Sequence, residues 1–278
     1  MTVENPFKAQ ADLFTYDSAL PLDVHEIGSS TRNGAIIKNI TFVAAPQTDP
    51  ISAYLVLPET DGEGTNAGIL WGHWLGEEHC NREQYLDEAV ELARAGVVSV
   101  LPDAMWSQAD WYGNRVPADD YANGIAQVIA FRRALDVLCG QSGVDAQRIA
   151  FVGHDYSGMY GTLMAGVDHR PKAFVFIAVA PSFFDWAFFA NQPESRVDYI
   201  RQNAPLEPMD YLRQIKNASI LMQFAKHDVY IGHMKNREFF HNAPEPKALK
   251  MYDEADHSMN LPEIRADRIE WLKENLGV

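Results

Sequence analysis

Only two of the 278 residues are cysteine, Cys80 and Cys139, so the chain has no disulfide framework to fold around. Long hydrophobic runs are missing as well. The longest, about 173–180, falls far short of the roughly 18 residues needed to span a bilayer. The opening MTVENPFKAQ lacks the basic-then-apolar pattern of a secretory signal, and a cytoplasmic protein with free thiols is expected. Basic residues are scarce: 23 Lys and Arg against 38 Asp and Glu leave a formal net charge of −15, which repels a phosphate backbone. No basic stripe interleaved with aromatics offsets it, so nucleic acid is excluded as an expected partner. The nine histidines form no HExxH pair and no cysteine-histidine cluster of ligand spacing. A glycine-rich phosphate loop and a dinucleotide fingerprint are absent too, so neither a metal nor a cofactor is expected.

What remains is a chain of 47% hydrophobic residues, long enough for one large α/β domain over 1–278. After an irregular lead of about 35 residues, 35–45 and 51–57 read as β-branched strands joined by the turn-rich PQTDP. The order then changes to alternating strand and helix. Strands are expected at AGILWG (67–72), VVSVL (97–101), RIAFVG (148–153), KAFVFIAVA (172–180), ASILMQF (218–224) and ALKMY (248–252). Helices are expected over about 82–95 and 121–139, from Tyr156, over 233–241 and over 262–275. That rhythm predicts a mostly parallel eight-stranded sheet with helices on both faces and ligands beyond the carboxyl ends of the strands. The interval 181–217, rich in aromatics and proline, exceeds an ordinary connection and reads as a small helical cap.

The most informative stretch is Gly153-His154-Asp155-Tyr156-Ser157-Gly158, a strand entering a helix through a sharp turn. Such an elbow strains its central residue and needs small residues two positions to either side. Gly153 and Ser157 meet that need around Asp155. A frame centred on Ser157 would put Asp155 and Met159 in the small positions.

GHDYSG resembles the nucleophile motif of the α/β-hydrolase superfamily, and the resemblance extends over most of the chain. YDSALPLDV, IKNITF, AYLVLP and EPMDYLRQI are similar to the dienelactone hydrolase-like branch. The departure is at the nucleophile. That branch carries cysteine there and most relatives serine, whereas an aspartate resembles the haloalkane and fluoroacetate dehalogenases and the epoxide hydrolases. The resemblance implies the α/β-hydrolase fold and a triad in the order nucleophile, acid, histidine. Asp155, Asp228 after strand 218–224 and His257 after strand 248–252 match it, with Asp253 or Asp256 as the alternative acid. It also implies an oxyanion hole, for which the matching amides are those of Trp74 and Tyr156.

Substrate-lining residues are expected from loops at the same edge: His73, Trp106, Trp111 and Tyr112, with Trp186 and its phenylalanine neighbours from the cap. Arg115 is a candidate partner for a substrate carboxylate, although a solvated arginine is the favoured reading. Tyr112 and Tyr160 are candidate acids. A carboxylate is a poor nucleophile toward an ordinary ester but displaces halide or opens an epoxide at saturated carbon. Three functions follow: hydrolysis at saturated carbon through an alkyl-enzyme ester, hydrolysis of esters or lactones as in the resembled branch, and non-catalytic binding on the same fold. The expected partners are a small organic substrate and water, with homo-oligomerisation left open.

Overall fold

The computed structural model describes residues 6–59, 65–76, 80–189 and 191–278. Part of the amino-terminal stretch and residue 190 of the expected cap lie outside them. In chain order the elements are α1 (Pro6–Asp12), β1 (His25–Arg32), β2 (Ala35–Phe42), β3 (Ile51–Pro58), β4 (Asn66–Gly72), α2 (Leu86–Ala93) and β5 (Val97–Pro102). They continue with α3 (Trp111–Asn114), α4 (Asp120–Cys139), β6 (Val144–His154), α5 (Tyr156–Val167), β7 (Ala173–Ile177), α6 (Phe184–Ala187) and α7 (Arg196–Asn203). Last come α8 (Pro208–Leu212), β8 (Ser219–Ala225), α9 (His233–Asn242), β9 (Lys247–Tyr252) and α10 (Pro262–Leu276).

The strands form one sheet in the order β1-β2-β3-β5-β4-β6-β7-β8-β9. The pairs from β1 to β5 are antiparallel and those from β5 across β4 to β9 are parallel. Residues of β4, β5, β7 and β8 are buried almost throughout, and so is β6 from Ile149 to His154, as both-face coverage requires. On one face α2 and α10 are joined by Arg268 of α10, which pairs with Glu88 of α2 at 2.5 Å. The other face carries α4, α5, α8 and α9.

The sheet has nine strands, one more than the sequence predicts. The additional strand, β1, lies in the stretch expected to be irregular. Its residues HEIGSSTR are nearly all exposed and make an edge strand, held to β2 by backbone pairing that leaves no apolar signature. The rest of the lead is held by α4: Arg132 donates to the Phe14 carbonyl at 2.6 Å and Arg133 to the Leu20 carbonyl at 2.8 Å. Strand β7 ends at Ile177, short of the predicted 180, because Ala178 turns the backbone at φ 47°. The interval 181–217 contains α6, α7 and α8. Among the described residues no helix is long and apolar enough to cross a membrane.

From β4 the chain crosses to β5 on one side and then over to β6 on the other, which makes β4 the switch point of the sheet. The loops after β4, β5, β6, β8 and β9 all open at the carboxyl edge beside it, and they carry the candidate site.

Candidate active site

Asp155 connects β6 to α5 with φ 51° and ψ −113°, a strained conformation for a residue with a side chain. Two glycines make the turn sterically feasible. A Cβ on Gly153 would lie 2.9 Å from the Gly158 Cα, and one on Gly158 would lie 2.9 Å from the Gly153 carbonyl oxygen. Ser157 fits against Gly72 of β4, where an added Cβ would meet the Ser157 Cβ at 2.5 Å. Its buried hydroxyl donates to the His73 carbonyl at 2.5 Å and is therefore already committed.

His257, in the loop after β9, stands between two carboxylates. Its Nδ1 lies 2.7 Å from Asp228 Oδ2 and its Nε2 3.4 Å from Asp155 Oδ1. The other oxygen of Asp228 accepts from the amides of Tyr230 (2.8 Å) and Ile231 (3.0 Å), which fixes the carboxylate in its loop. Asp253 instead pairs with Lys226, and Asp256 bonds Ser258, so neither alternative acid reaches the imidazole's Nδ1. Burial lowers the affinity of His257 for a proton, but the hydrogen bonds and charges of Asp155 and Asp228 outweigh it and push the pKa up to about 10.

The loop after β4 differs by one residue from the arrangement expected of it. The Trp74 amide donates to Gln84 Oε1 at 2.8 Å, whereas the Leu75 amide donates to Asp155 Oδ2 at 3.2 Å. Leu75, not Trp74, therefore faces the elbow. The Trp74 indole stacks on His154, centroids 5.2 Å apart and planes 10° from parallel. The Tyr156 amide begins α5, where the first N–H groups of a helix have no intrahelical acceptor.

The expected lining residues divide. His73 is only 2% exposed, and its two ring nitrogens are taken by the Trp74 carbonyl (2.9 Å) and the Ala104 amide (2.9 Å). Burial lowers its pKa to about 4, so it is a neutral knot between the loops after β4 and β5, not a substrate contact. Trp106 is 0% exposed, with its indole N–H on the His73 carbonyl at 3.3 Å, and is likewise core. Trp186 is 6% exposed and gives its N–H to Met159 Sδ at 2.8 Å, while its ring lies 4.4 Å from that of Tyr156. Trp111 and Tyr112 keep exposed surface, but the Tyr112 hydroxyl donates to the Trp186 carbonyl at 2.7 Å. Arg115 is buried and donates to the Ala187 carbonyl at 2.6 Å, so it ties the loop after β5 to α6. The hydroxyls of Tyr156 and Tyr160 are buried without a hydrogen-bond partner among the described residues. Burial raises both phenols well above their ordinary value and keeps them as neutral donors.

Three residues of this arrangement escaped sequence reading: Leu75, Gln84 and His154. His154 stands inside the elbow motif and was legible as its neighbour. Gln84 sits in the turn before α2 and carries no sequence signal.

No protein-family model matches the chain, and no curated protein matches it. Solved structures do. An acetyl xylan esterase from Paenibacillus sp. R4 superposes with a TM-score of 0.75 at 19% identity, over 96% of this chain and 92% of that one. Acetyl xylan esterase 1 from Thermoanaerobacterium sp. JW/SL YS485 does so with 0.74 at 15% identity, over 97% and 92%. A chain from Klebsiella pneumoniae subsp. pneumoniae MGH 78578, assigned as a dienelactone hydrolase, gives 0.63 at 18% identity, over 87% and 98%. At these identities the likeness is one of architecture, and with the mostly parallel sheet and the strand-elbow-helix turn it shows that the chain has the α/β-hydrolase fold.

Proposed function

We propose that this chain is a hydrolase that works through a covalent ester on Asp155. The observation that carries the reading is His257 held between the carboxylates of Asp228 and Asp155, at 2.7 and 3.4 Å. With its pKa raised to about 10, the imidazole is protonated at neutral pH and has no lone pair with which to activate a serine or a water. The carboxylate of Asp155 needs no such activation. It attacks carbon directly, an oxygen–carbon bond forms, and the leaving atom departs with the bonding electrons as halide or as the alkoxide of an opened epoxide.

Esterification neutralises Asp155 and removes one of the two charges that hold the proton on His257. The imidazole then loses its proton to solvent and becomes the base for the second step. It takes a proton from water as the oxygen attacks the carbonyl carbon of the Asp155 ester. The amides of Leu75 and Tyr156 receive the oxyanion. Collapse breaks the acyl–oxygen bond, His257 returns its proton to the departing alkoxide, and the Asp155 carboxyl left behind gives its own proton to His257, which restores the carboxylate and the charged imidazole. For epoxide opening the unpaired hydroxyl of Tyr156 is the donor of choice, since that of Tyr112 is engaged and Tyr160 is buried in the core against Trp106.

A second reading, hydrolysis of a carboxylic ester or lactone, is favoured by the acetyl xylan esterases and by the chain assigned as a dienelactone hydrolase that share this fold. Asp155 would then form a mixed anhydride, opened by the same His257 and the same two amides. A panel of epoxides, haloacids and aryl esters separates the two. Single-turnover reaction in ¹⁸O-labelled water should place label in the peptide containing Asp155. Label confined to product, with Asp155→Ala still active, sinks both readings.

A further inference from the structure

Four polar groups outside the triad form one hydrogen-bonded chain through the floor of the site. The Trp74 amide donates to Gln84 Oε1 at 2.8 Å, Gln84 Nε2 lies 2.9 Å from His154 Nδ1, and His154 Nε2 lies 3.0 Å from the His257 carbonyl oxygen. The directions follow from the ends. The backbone N–H of Trp74 requires an acceptor, so the Gln84 oxygen faces it and the Gln84 amide nitrogen donates to Nδ1 of His154. That leaves the proton of His154 on Nε2, where it donates to the His257 carbonyl. Burial holds His154 well below the ordinary histidine range, with charge on His257 acting in the same sense, so the ring is neutral and this tautomer is fixed.

We propose that Gln84 and His154 are positioning residues that hold the oxyanion loop and the His257 loop in one register across Asp155. The two loops leave β4 and β9, which are separated in the sheet by β6, β7 and β8, so strand pairing does not couple them. Yet Asp155 must meet both at once, with Oδ2 at the Leu75 amide (3.2 Å) and Oδ1 at His257 Nε2 (3.4 Å). The relay runs from the amide next to Leu75 to the carbonyl of His257 itself. Its middle member is clamped between the strand end and the Trp74 indole. The inference rests on the reading that His257 works at this site, and its test observes His257 without any substrate.

The test is histidine-labelled NMR of the full chain, with His257 and His154 assigned from His257→Gln and His154→Phe. Wild type should show His154 protonated on Nε2 alone, and His257 titrating in the alkaline range with a downfield Nδ1 proton. His154→Phe keeps a ring against Trp74 but removes the two hydrogen bonds of His154, and Gln84→Leu removes the two of Gln84, the bond between them being common to both. Each should move the His257 titration down by about one pH unit or more and broaden its downfield proton, because the imidazole no longer sits fixed between its carboxylates. His154→Gln, which can accept from Gln84 and donate to His257, should restore most of both signals. A role in stability alone would lower the melting temperature and leave the titration unmoved. Wild-type His257 behaviour in folded His154→Phe and Gln84→Leu overturns the proposal. A wild-type His154 found cationic or protonated on Nδ1 also overturns it, and that reading stands even where a variant fails to fold.

Discussion

His257 differs from a free imidazole in having a carboxylate at each nitrogen, and in the proposed scheme it serves the second step only. If Asp155 attacks unaided, removing the imidazole spares attack and blocks hydrolysis of the ester. His257→Gln should therefore accumulate an adduct on the Asp155 peptide, heavier by the transferred group, seen by intact-protein mass spectrometry with a competent member of the panel. Asp228→Asn should trap less, since the imidazole survives while losing the partner that orients it and stabilises its charge. Absence of adduct from both variants during turnover by wild type would remove Asp155 as the nucleophile. Ser157 bears on the same question. Its hydroxyl is spent on the His73 carbonyl, which the Trp106 indole also reaches, so Ser157→Ala should lower stability by about 1 kcal/mol. Its kcat/KM should stay within about tenfold of wild type, whereas a loss of roughly a thousandfold with the fold intact would return the nucleophile's role to serine.

The elbow is built by close approach of β6 and α5, and the glycines that permit it make the turn sensitive to a single methyl group. Gly158→Ala would put its Cβ 2.2 Å from Val179 Cγ2 and 2.9 Å from the Gly153 carbonyl oxygen, and Gly153→Ala would crowd Phe151 at 2.6 Å. Each should cost roughly 1–3 kcal/mol in urea denaturation and disturb Asp155. Gly113→Ala, with nothing within 4 Å, is the control and should be neutral or slightly stabilising. Gly153→Ala and Gly158→Ala as neutral as Gly113→Ala would show that the close approach at the elbow is not what holds the turn. The same contrast explains what the sequence made legible. The strands β4, β5, β7 and β8 and the second half of β6 are largely apolar because they are buried on both faces, and each candidate triad residue follows one of the parallel strands β6, β8 and β9 at the carboxyl edge. β1 was illegible because an exposed edge strand is specified by its backbone pairing with β2. The one-residue shift from Trp74 to Leu75 depends on loop torsions and on Gln84, a residue with no local pattern. His73 and Trp106 carry polar atoms at the right edge, and only their depth of burial reassigns them to packing.

Across the whole molecule the histidines pull the pH dependence of stability in opposite directions. His73 and His154 are buried neutral, the first lowered to about 4 and the second well below the ordinary 6.5, in both cases chiefly by desolvation. The unfolded chain binds more protons at these two positions as pH falls below 6.5, so their contribution is present above that value and is lost on acidification. His257 is raised from 6.5 to about 10, so its contribution is complete below 6.5 and is lost as pH rises through about 10. Glu207, which burial raises from 4.5 to about 7, adds stability while neutral and loses it as pH rises through that range, in the same sense as His257. Urea midpoints measured from about pH 7 to about pH 10 lie above the titration of His73 and His154 but still include the end of the Glu207 titration and the Cys139 thiol, which burial raises from 9.0, so the His257 share is read as the difference between wild type and Asp228→Asn. Wild type should weaken progressively over that window. Asp228→Asn removes one of the two carboxylates that hold the proton, and it should start less stable and show a shallower slope. If the variant and wild type lose stability in parallel, the alkaline limb belongs to other groups, and the paired-carboxylate account of His257 fails with it.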